Sequence, residues 1–267
     1  MQPGEHLVAA KGWRNTMGPT QPDADDYAPQ RLEESLGAPL HVRPEVLEAV
    51  ERGEDKSPHA VLGPHLNRLG HVSVRTLQRD ALAINILTKS ETVPMAREHG
   101  DIWMGLLEAK EIGRVPDYRI QRIEPDGVRV VDDPYRHTPR LGEMELHRIR
   151  TGGVQVQELL LGAHPQHYSS PMGEVEGTGF VVKQDDAVAV RVCGDFNIWN
   201  GSSHAMRKLG NSGIWEIFIP GVAIGAKYRF EYLEPTGTWV EYADPVGHYS
   251  TEDPDTICVV QPEGFEA

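Results

Sequence analysis

Residues 188–199 carry the pattern that decides the fold, reading Val188-Ala189-Val190-Arg191-Val192-Cys193-Gly194-Asp195-Phe196-Asn197-Ile198-Trp199. Val188, Val190 and Val192 alternate with other residues, which places the three valines on one face of a half-buried β-strand. A Gly-Asp turn follows at once and carries an aromatic residue away from the predicted sheet. Two later stretches alternate in the same way, namely Trp215, Ile217 and Ile219, then Tyr228, Phe230 and Tyr232. Short alternating strands divided by Gly, Pro, Asn and Asp are typical of an antiparallel β-sandwich.

Six short segments recur in the same order roughly 100 to 110 residues further along the chain. The pairs are Leu62-Gly63-Pro64-His65 with Leu161-Gly162-Ala163-His164, Asp80–Ile84 with Asp186–Val190, Ile102-Trp103 with Ile214-Trp215, Tyr118-Arg119-Ile120 with Tyr228-Arg229-Phe230, Asp126-Gly127 with Thr236-Gly237, and Asp133-Pro134 with Asp244-Pro245. This order predicts two copies of one domain. Trp103 and Trp215 occupy equivalent strand positions in the repeat, so we expect both indoles in the core.

The predicted organisation is therefore all-β, with two tandem immunoglobulin-like antiparallel β-sandwiches. Residues 1–43, rich in proline and acidic residues, are predicted to form a disordered tail. A first module is predicted at 44–140, a linker at 141–165 and a second module at 166–262. Helices are predicted from Pro44 to Arg52, with proline in the first turn, and from Glu143 to Arg150 as a short linker helix.

The charge and the composition exclude several classes of partner. The 26 Lys and Arg residues against 40 Asp and Glu residues give a net charge of −14, which disfavours binding to nucleic acid or to an anionic membrane. The sequence contains no run of 18 apolar residues and no apolar signal-peptide core at its start, so we expect no membrane insertion. Two cysteines, Cys193 and Cys258, make no disulfide framework, so a cytoplasmic location is expected.

The second copy carries a turn, Gly194 to Gly201, that the first copy lacks. An indole can cover the apolar face of a sugar ring, and polar side chains can satisfy the hydroxyl rim. The predicted carbohydrate site comprises Trp199, Trp239, Asn197, Lys227, Arg229 and Asp244. Alternatively, Trp199 packs over one end of the sandwich and Trp239 caps the other. Because the first copy lacks this turn, we expect it to act mainly as a spacer.

No other class of site is favoured by the sequence. The neighbouring carboxylates, such as Asp132-Asp133 and Asp185-Asp186, are adjacent in sequence and so are poorly placed for paired catalysis. His164 and His167 have no third ligand in the sequence to complete a metal site. Phosphate-binding glycine loops are missing as well. We therefore predict no catalytic residue, no metal and no cofactor.

Several of these segments together resemble known carbohydrate-active families. The second copy is similar to carbohydrate-binding module family 48 through Gly179-Phe180, the run from Val190 to Trp199, Met206 and Gly213-Ile214-Trp215-Glu216. The first copy is similar to the amino-terminal module of bacterial 1,4-alpha-glucan (glycogen) branching enzymes through Ala60–His65, Asp101-Ile102-Trp103, Tyr118-Arg119-Ile120, Asp133–Arg136 and Leu141–His147. Lys183-Gln184-Asp185-Asp186 departs from the Trp-Ala-Pro-Asn that the module family usually shows.

This resemblance implies that the chain binds and positions alpha-1,4-glucan or glycogen and docks against a catalytic (β/α)₈ barrel. It further implies that the full enzyme transfers alpha-1,4-linked chains to alpha-1,6 branches without a cofactor. The barrel motifs do not occur in these 267 residues, so we expect the chain alone to be inactive. Two alternatives stay open: a stand-alone glycogen-binding adaptor, and a structural immunoglobulin-like pair used for protein contact, which would bury Trp199.

Overall fold

The computed structural model describes residues 41–67, 70–109, 113–250 and 256–262, so the predicted disordered tail lies almost wholly outside the described residues. The helices within this part are α1 (Pro44–Glu51), α2 (Glu143–Thr151) and α3 (Val154–Leu160). The strands are β1 (Gly63–Leu66), β2 (His71–Leu77), β3 (Ala83–Leu87), β4 (Thr92–Pro94), β5 (Ala96–His99), β6 (Ile102–Glu108), β7 (Arg119–Glu124), β8 (Gly127–Val131), β9 (Gly162–Ser170), β10 (Gly173–Lys183), β11 (Ala189–Gly194), β12 (Arg207–Lys208), β13 (Ile214–Pro220), β14 (Lys227–Leu233), β15 (Trp239–Tyr242), β16 (His248–Tyr249) and β17 (Cys258–Val259).

Each module consists of two antiparallel sheets, which confirms the predicted all-β sandwich class. The first module has the strand orders β1-β2-β6-β5 and β4-β3-β7-β8. The second has the orders β9-β10-β13-β12 and β11-β14-β17-β16, with β15 also paired to β14. Three neighbouring strands of each sheet correspond between the modules: β1, β2 and β6 match β9, β10 and β13, while β3, β7 and β8 match β11, β14 and β15.

Three side-chain hydrogen bonds occur in both modules at matching positions, which shows that the repeat extends to individual contacts. In each copy a histidine ring bonds to a leucine carbonyl, an indole N–H donates to a glutamine carbonyl, and a tyrosine hydroxyl donates to a buried aspartate. The pairs are His65–Leu62 (3.1 Å) and His164–Leu161 (2.8 Å), Trp103–Gln78 (3.3 Å) and Trp215–Gln184 (2.9 Å), and Tyr118–Asp133 (2.7 Å) and Tyr228–Asp244 (2.6 Å).

The cores follow from the alternation in the sequence. Trp103 and Trp215 are both buried, as predicted from their equivalent positions. Val190 and Val192 are buried as well, but the prediction for Val188 was wrong, because β11 begins only at Ala189 and the Val188 side chain is exposed. One apolar cluster includes residues of both modules, among them Leu62 and Tyr135 of the first with Phe180 and Trp215 of the second. The modules therefore share part of a core.

The connection between the modules differs in detail from the prediction. The predicted linker helix is present as α2, but a second helix, α3, follows the Gly152-Gly153 pair that reads as a turn in the sequence. Strand β9 then begins at Gly162, inside the stretch predicted as linker. The helices in the described part of the chain are too short or too polar to cross a membrane.

Candidate functional site

The turn after β11 holds two consecutive residues in a backbone conformation that side chains disfavour. A single 3₁₀ turn spans Asp195–Asn197, and Ile198 and Trp199 then take positive φ angles of 54° and 58°. The Trp199 amide donates to the Gly194 carbonyl at 2.8 Å and closes the turn. Left-handed backbone is unusual for any residue with a side chain and most unfavourable for a β-branched one, yet Ile198 is 89% exposed and gains little burial in return.

Both polar atoms of the Asn197 side-chain amide form hydrogen bonds that hold this turn in place. Its Oδ1 accepts from the Gly194 amide at 2.9 Å, and its Nδ2 donates to the Val192 carbonyl and to Nδ1 of His204, each at 2.9 Å. Burial lowers the pKa of His204 to about 4, so its ring is neutral at physiological pH and Nδ1 can accept. Asn197 therefore shapes the loop, and its donors are already used.

Phe196 faces inward and so directs the following residues outward. Its ring lies 6.0 Å from that of Phe180 in the core, measured between centroids. A Cβ atom on Gly194 would lie 2.3 Å from the Phe196 ring and 2.5 Å from the Lys227 carbonyl oxygen. Only glycine fits at this position, which explains the Gly-Asp start of the turn.

The sheet beneath the turn has one core face and one polar face. In β14, Tyr228 and Phe230 point into the core, so Arg229 and Glu231 lie on the opposite face. The register places Arg191 of β11 opposite Glu231, and Glu231 opposite Glu241 of β15. Three neighbouring strands thus present charged side chains side by side.

Two tryptophans lie on this polar face, each against an arginine that is itself ion-paired. The guanidinium carbon of Arg229 lies 5.2 Å from the centroid of the Trp199 ring, and that of Arg191 lies 3.7 Å from the Trp239 ring. Both indoles are half-buried. The pairs Arg229–Glu241 and Arg191–Glu231 each have N···O distances of 2.5 Å. We call this surface the aromatic face, formed by Trp199, Trp239, Arg191, Arg229, Glu231 and Glu241.

The structure brings together most of the residues that the sequence predicted for the site. Trp199, Trp239 and Arg229 lie on the aromatic face, and Lys227 begins β14 on the same side as Arg229. The alternative has the two tryptophans cap opposite ends of the sandwich, whereas both indoles contact arginines on the polar face of one sheet, Arg229 of β14 and Arg191 of β11. The protein-contact alternative requires a buried Trp199, whereas this side chain is only half-buried.

Asp244 is a correction to the predicted site. The structure buries this residue completely. Its carboxylate accepts from the Tyr228 hydroxyl at 2.6 Å and from the Val246 amide at 3.1 Å, and burial raises its pKa to about 6. A carboxylate so enclosed has no surface to offer a ligand, and it belongs to the framework of the module instead.

Three residues of the aromatic face were missed by the sequence prediction. Arg191, Glu231 and Glu241 come together only through the register of β11, β14 and β15. Their alternation with buried residues was visible in the sequence. The pairing of the strands, which decides that these three side chains meet Trp199 and Trp239, was not.

The first module has no such surface at the corresponding positions. Its register places Asn85 opposite Gln121, and Gln121 opposite Val130. Asn85 and Gln121 bond to each other at 2.8 Å, and Val128 takes the position of Trp239 in the equivalent β-strand. In the described part of the chain, no three His, Cys, Asp or Glu side chains are placed to hold a metal ion.

Comparison with known proteins identifies both modules. Residues 160–247 match the family model of carbohydrate-binding module 48 (isoamylase N-terminal domain), and residues 43–135 match that of the alpha-1,4-glucan branching enzyme GlgB, N-terminal domain. The 1,4-alpha-glucan branching enzyme GlgB of Frankia casuarinae is 41% identical over 221 residues, covering 82% of this chain and 27% of that protein. The enzyme of the same name from Thermobifida fusca is 41% identical over 216 residues, covering 80% and 28% respectively.

Among solved structures, a pullulanase from Anoxybacillus sp. LM18-11 aligns with 74% of this chain and 27% of its own at 13% identity and a TM-score of 0.30. A similarity this low bears on neither fold nor function. Compared with the two branching enzymes described above, the chain spans just over a quarter of their length.

Proposed function

This chain belongs to the N-terminal region of the 1,4-alpha-glucan branching enzyme family, and from that premise we propose that its second module binds alpha-1,4-glucan chains on the aromatic face. The observation that carries the proposal is the pair of half-exposed indoles, Trp199 and Trp239, that lie on the same face of one sheet, each against an arginine. Each indole offers a flat apolar surface of the size of a sugar ring.

The charges around the two indoles suit a neutral polyhydroxyl ligand. Arg191 and Arg229 are each paired with a glutamate, so the face carries no unbalanced charge from these four residues. Guanidinium groups donate hydrogen bonds and carboxylates accept them, and a sugar hydroxyl does both. A neutral glucan is also not repelled by the chain's net charge of −14.

In the longer protein, this region would hold a glucan chain while a catalytic domain elsewhere transfers alpha-1,4-linked segments to alpha-1,6 branches. That activity, the glycogen substrate and the docking of this region against a catalytic barrel are part of the proposal. They are supported by the relatives named above and by the aromatic face, which is suited to binding a glucan rather than to cleaving it. We further propose a cytoplasmic location, which is consistent with two buried free cysteines.

Affinity electrophoresis in gels containing glycogen tests the binding site. We expect Trp199→Ala and Trp239→Ala each to weaken retention about tenfold, because each removes one stacking surface worth about 1 to 1.5 kcal/mol. Tyr249→Ala is the control, since Tyr249 is also a half-exposed aromatic (52%) but is aligned through Cys258 with the core-facing Tyr228, on the opposite side of the sheet from Arg229. Unchanged mobility of both tryptophan variants would refute the proposed site.

A further inference from the structure

We infer that the first module positions the aromatic face of the second, with Tyr135 as the main positioning residue. The expected effect on glucan affinity rests on the proposed function, whereas the contacts between the modules do not. The described strands of the first module that correspond to β11, β14 and β15 carry no aromatic face. The role inferred for this module is therefore neither that of a second binding site nor that of a spacer.

Tyr135 reaches out of the first module and fixes the far end of the turn that carries Trp199. Its ring is buried in the 3₁₀ turn Pro134–Arg136. Its hydroxyl donates to the Ser203 carbonyl at 3.0 Å and accepts from the Ala205 amide at 3.1 Å. These two residues bracket His204, whose ring bonds to the Asn197 amide. A tyrosine of one module thus determines where the central histidine of the other module's loop lies.

Arg79 of the first module contacts Ser202, which directly follows the turn that carries Trp199. Its Nη2 donates to Oγ of Ser202 at 3.1 Å and to the Glu51 carbonyl at 2.7 Å. Ser202 in turn donates to Oδ1 of Asn200 from its hydroxyl at 2.6 Å and from its amide at 3.1 Å. Asn200 directly follows Trp199, so this chain of bonds leads from the first module to the residue beside the indole.

The end of helix α1 supports the other tryptophan. The Arg52 carbonyl accepts from Nη1 of Arg191 at 3.3 Å, and Arg191 is the guanidinium that stacks on Trp239. Gly53, with a φ of +69°, brings this end of the helix so close that a Cβ atom there would lie 3.1 Å from Cα of Ser202. Both tryptophans are therefore linked to the first module through one intermediate side chain or turn.

Such support matters because the turn is strained. Ile198 and Trp199 both hold left-handed backbone, a conformation that persists only where the surroundings fix it. If the bonds from the first module are lost, the turn can relax and the Trp199 ring leaves its place over Arg229. The binding face must then be ordered by the ligand, and affinity falls although no residue that touches the ligand has changed.

The test compares two variants that each delete one buried hydroxyl of the first module. Tyr135→Phe removes the bonds to the loop. Ser73→Ala removes the bond from the buried Ser73 hydroxyl to the His65 carbonyl, which joins two residues of the first module. The chain is labelled with 5-fluorotryptophan, and the Trp199 resonance is assigned with Trp199→Phe. Binding of maltoheptaose, a neutral linear alpha-1,4-glucan, is measured by calorimetry, and the free energy of unfolding by urea denaturation.

We expect Tyr135→Phe to weaken maltoheptaose binding about three- to tenfold and to shift or broaden the Trp199 resonance in the free protein. Ser73→Ala should lower the unfolding free energy but leave both the affinity and that resonance unchanged. Arg79→Met gives a second perturbation at a partly exposed side chain, should Tyr135→Phe unfold, and the same two effects are expected.

The inference is overturned if folded Tyr135→Phe and Arg79→Met keep the wild-type affinity and Trp199 resonance. It is equally overturned if Ser73→Ala changes both as strongly, since the effect then reflects general stability. Absence of maltoheptaose binding by the wild-type chain would instead contradict the proposed function. The resonance of the free protein would still decide whether the first module positions Trp199.

Discussion

Replacing Ile198 by asparagine should make the protein more stable, although it removes a large apolar side chain. Ile198 has a φ of 54° and is 89% exposed. Left-handed backbone costs a residue with a Cβ atom about 1 to 2 kcal/mol, and asparagine tolerates this conformation far better than a β-branched residue does. Ile198→Asn therefore relieves strain at a position where almost nothing is buried.

The two opposing contributions can be compared directly. Full burial of an isoleucine is worth about 1.5 to 3 kcal/mol, and with 89% of the residue exposed only about a tenth of that, roughly 0.2 to 0.3 kcal/mol, is lost. The relief of strain is several times larger, so the net gain is about 1 kcal/mol. In a chain of this size, that corresponds to a rise in Tm of about 2 to 4 °C.

Ile224→Asn is the matched control for this prediction. Ile224 is also exposed (56%) but is not among the described residues with positive φ, so its replacement relieves no strain and loses about half of the burial energy. Urea denaturation should show a higher midpoint for Ile198→Asn, a lower one for Ile224→Asn, and an unchanged m-value for both. A lower midpoint for Ile198→Asn than for the wild type would refute the reasoning about strain.

Three further outcomes follow from the same contacts. Burial raises the pKa of Asp244 from 3.8 to about 6, so the folded state binds this proton more tightly than the unfolded chain, and the stability from this group is lost as pH rises through 6. Between about pH 4 and 7.5, the unfolding free energy of Asp244→Asn should therefore rise relative to that of the wild type, by up to about 3 kcal/mol. Comparing the two proteins cancels the opposite contribution of His59 and His204, whose pKa values are lowered. An equal pH dependence of the two proteins would contradict the argument. Gly194→Ala should lower the unfolding free energy by about 1 to 3 kcal/mol in urea denaturation, because its Cβ would overlap the Phe196 ring. Calorimetry between about 0.05 and 0.5 M salt should give the same affinity for maltoheptaose within about twofold, since a neutral ligand releases no counter-ions, and a steep salt dependence would indicate an anionic ligand instead.

The fold was predictable because the chain contains it twice. A single alternating stretch does not distinguish a sandwich from other β-structures, but Trp103 and Trp215 at matching positions predicted a common core, and both are buried. The register of the strands came from the structure alone, because alternation gives the face of each residue and not its neighbour across the sheet. Helix α3 was missed since it follows a Gly-Gly pair and has no capping side chain.

The repeat also held information about the site that residue types alone did not convey. Asp244 recurs as Asp133 in the module without an aromatic face, and both carboxylates accept a tyrosine hydroxyl inside their modules. A residue that performs the same structural task in both copies is a poor candidate for binding. Trp199 and Trp239 have no aromatic counterpart in the first copy, and both lie on the aromatic face.

Arg229 is the exception to this rule, because its counterpart has a different environment. Its counterpart in the repeat, Arg119, is buried where the modules meet and donates to Oγ of Ser170 at 3.0 Å. Arg119 is also paired with Asp117 and Asp132, so this end of the first module's sheet is closed by the second module. The same packing that covers Arg119 brings Tyr135 against the turn of Trp199. Closing the face of one copy and supporting the face of the other thus involve the same pair of modules, and the proposed glucan site depends on both modules rather than on the second alone.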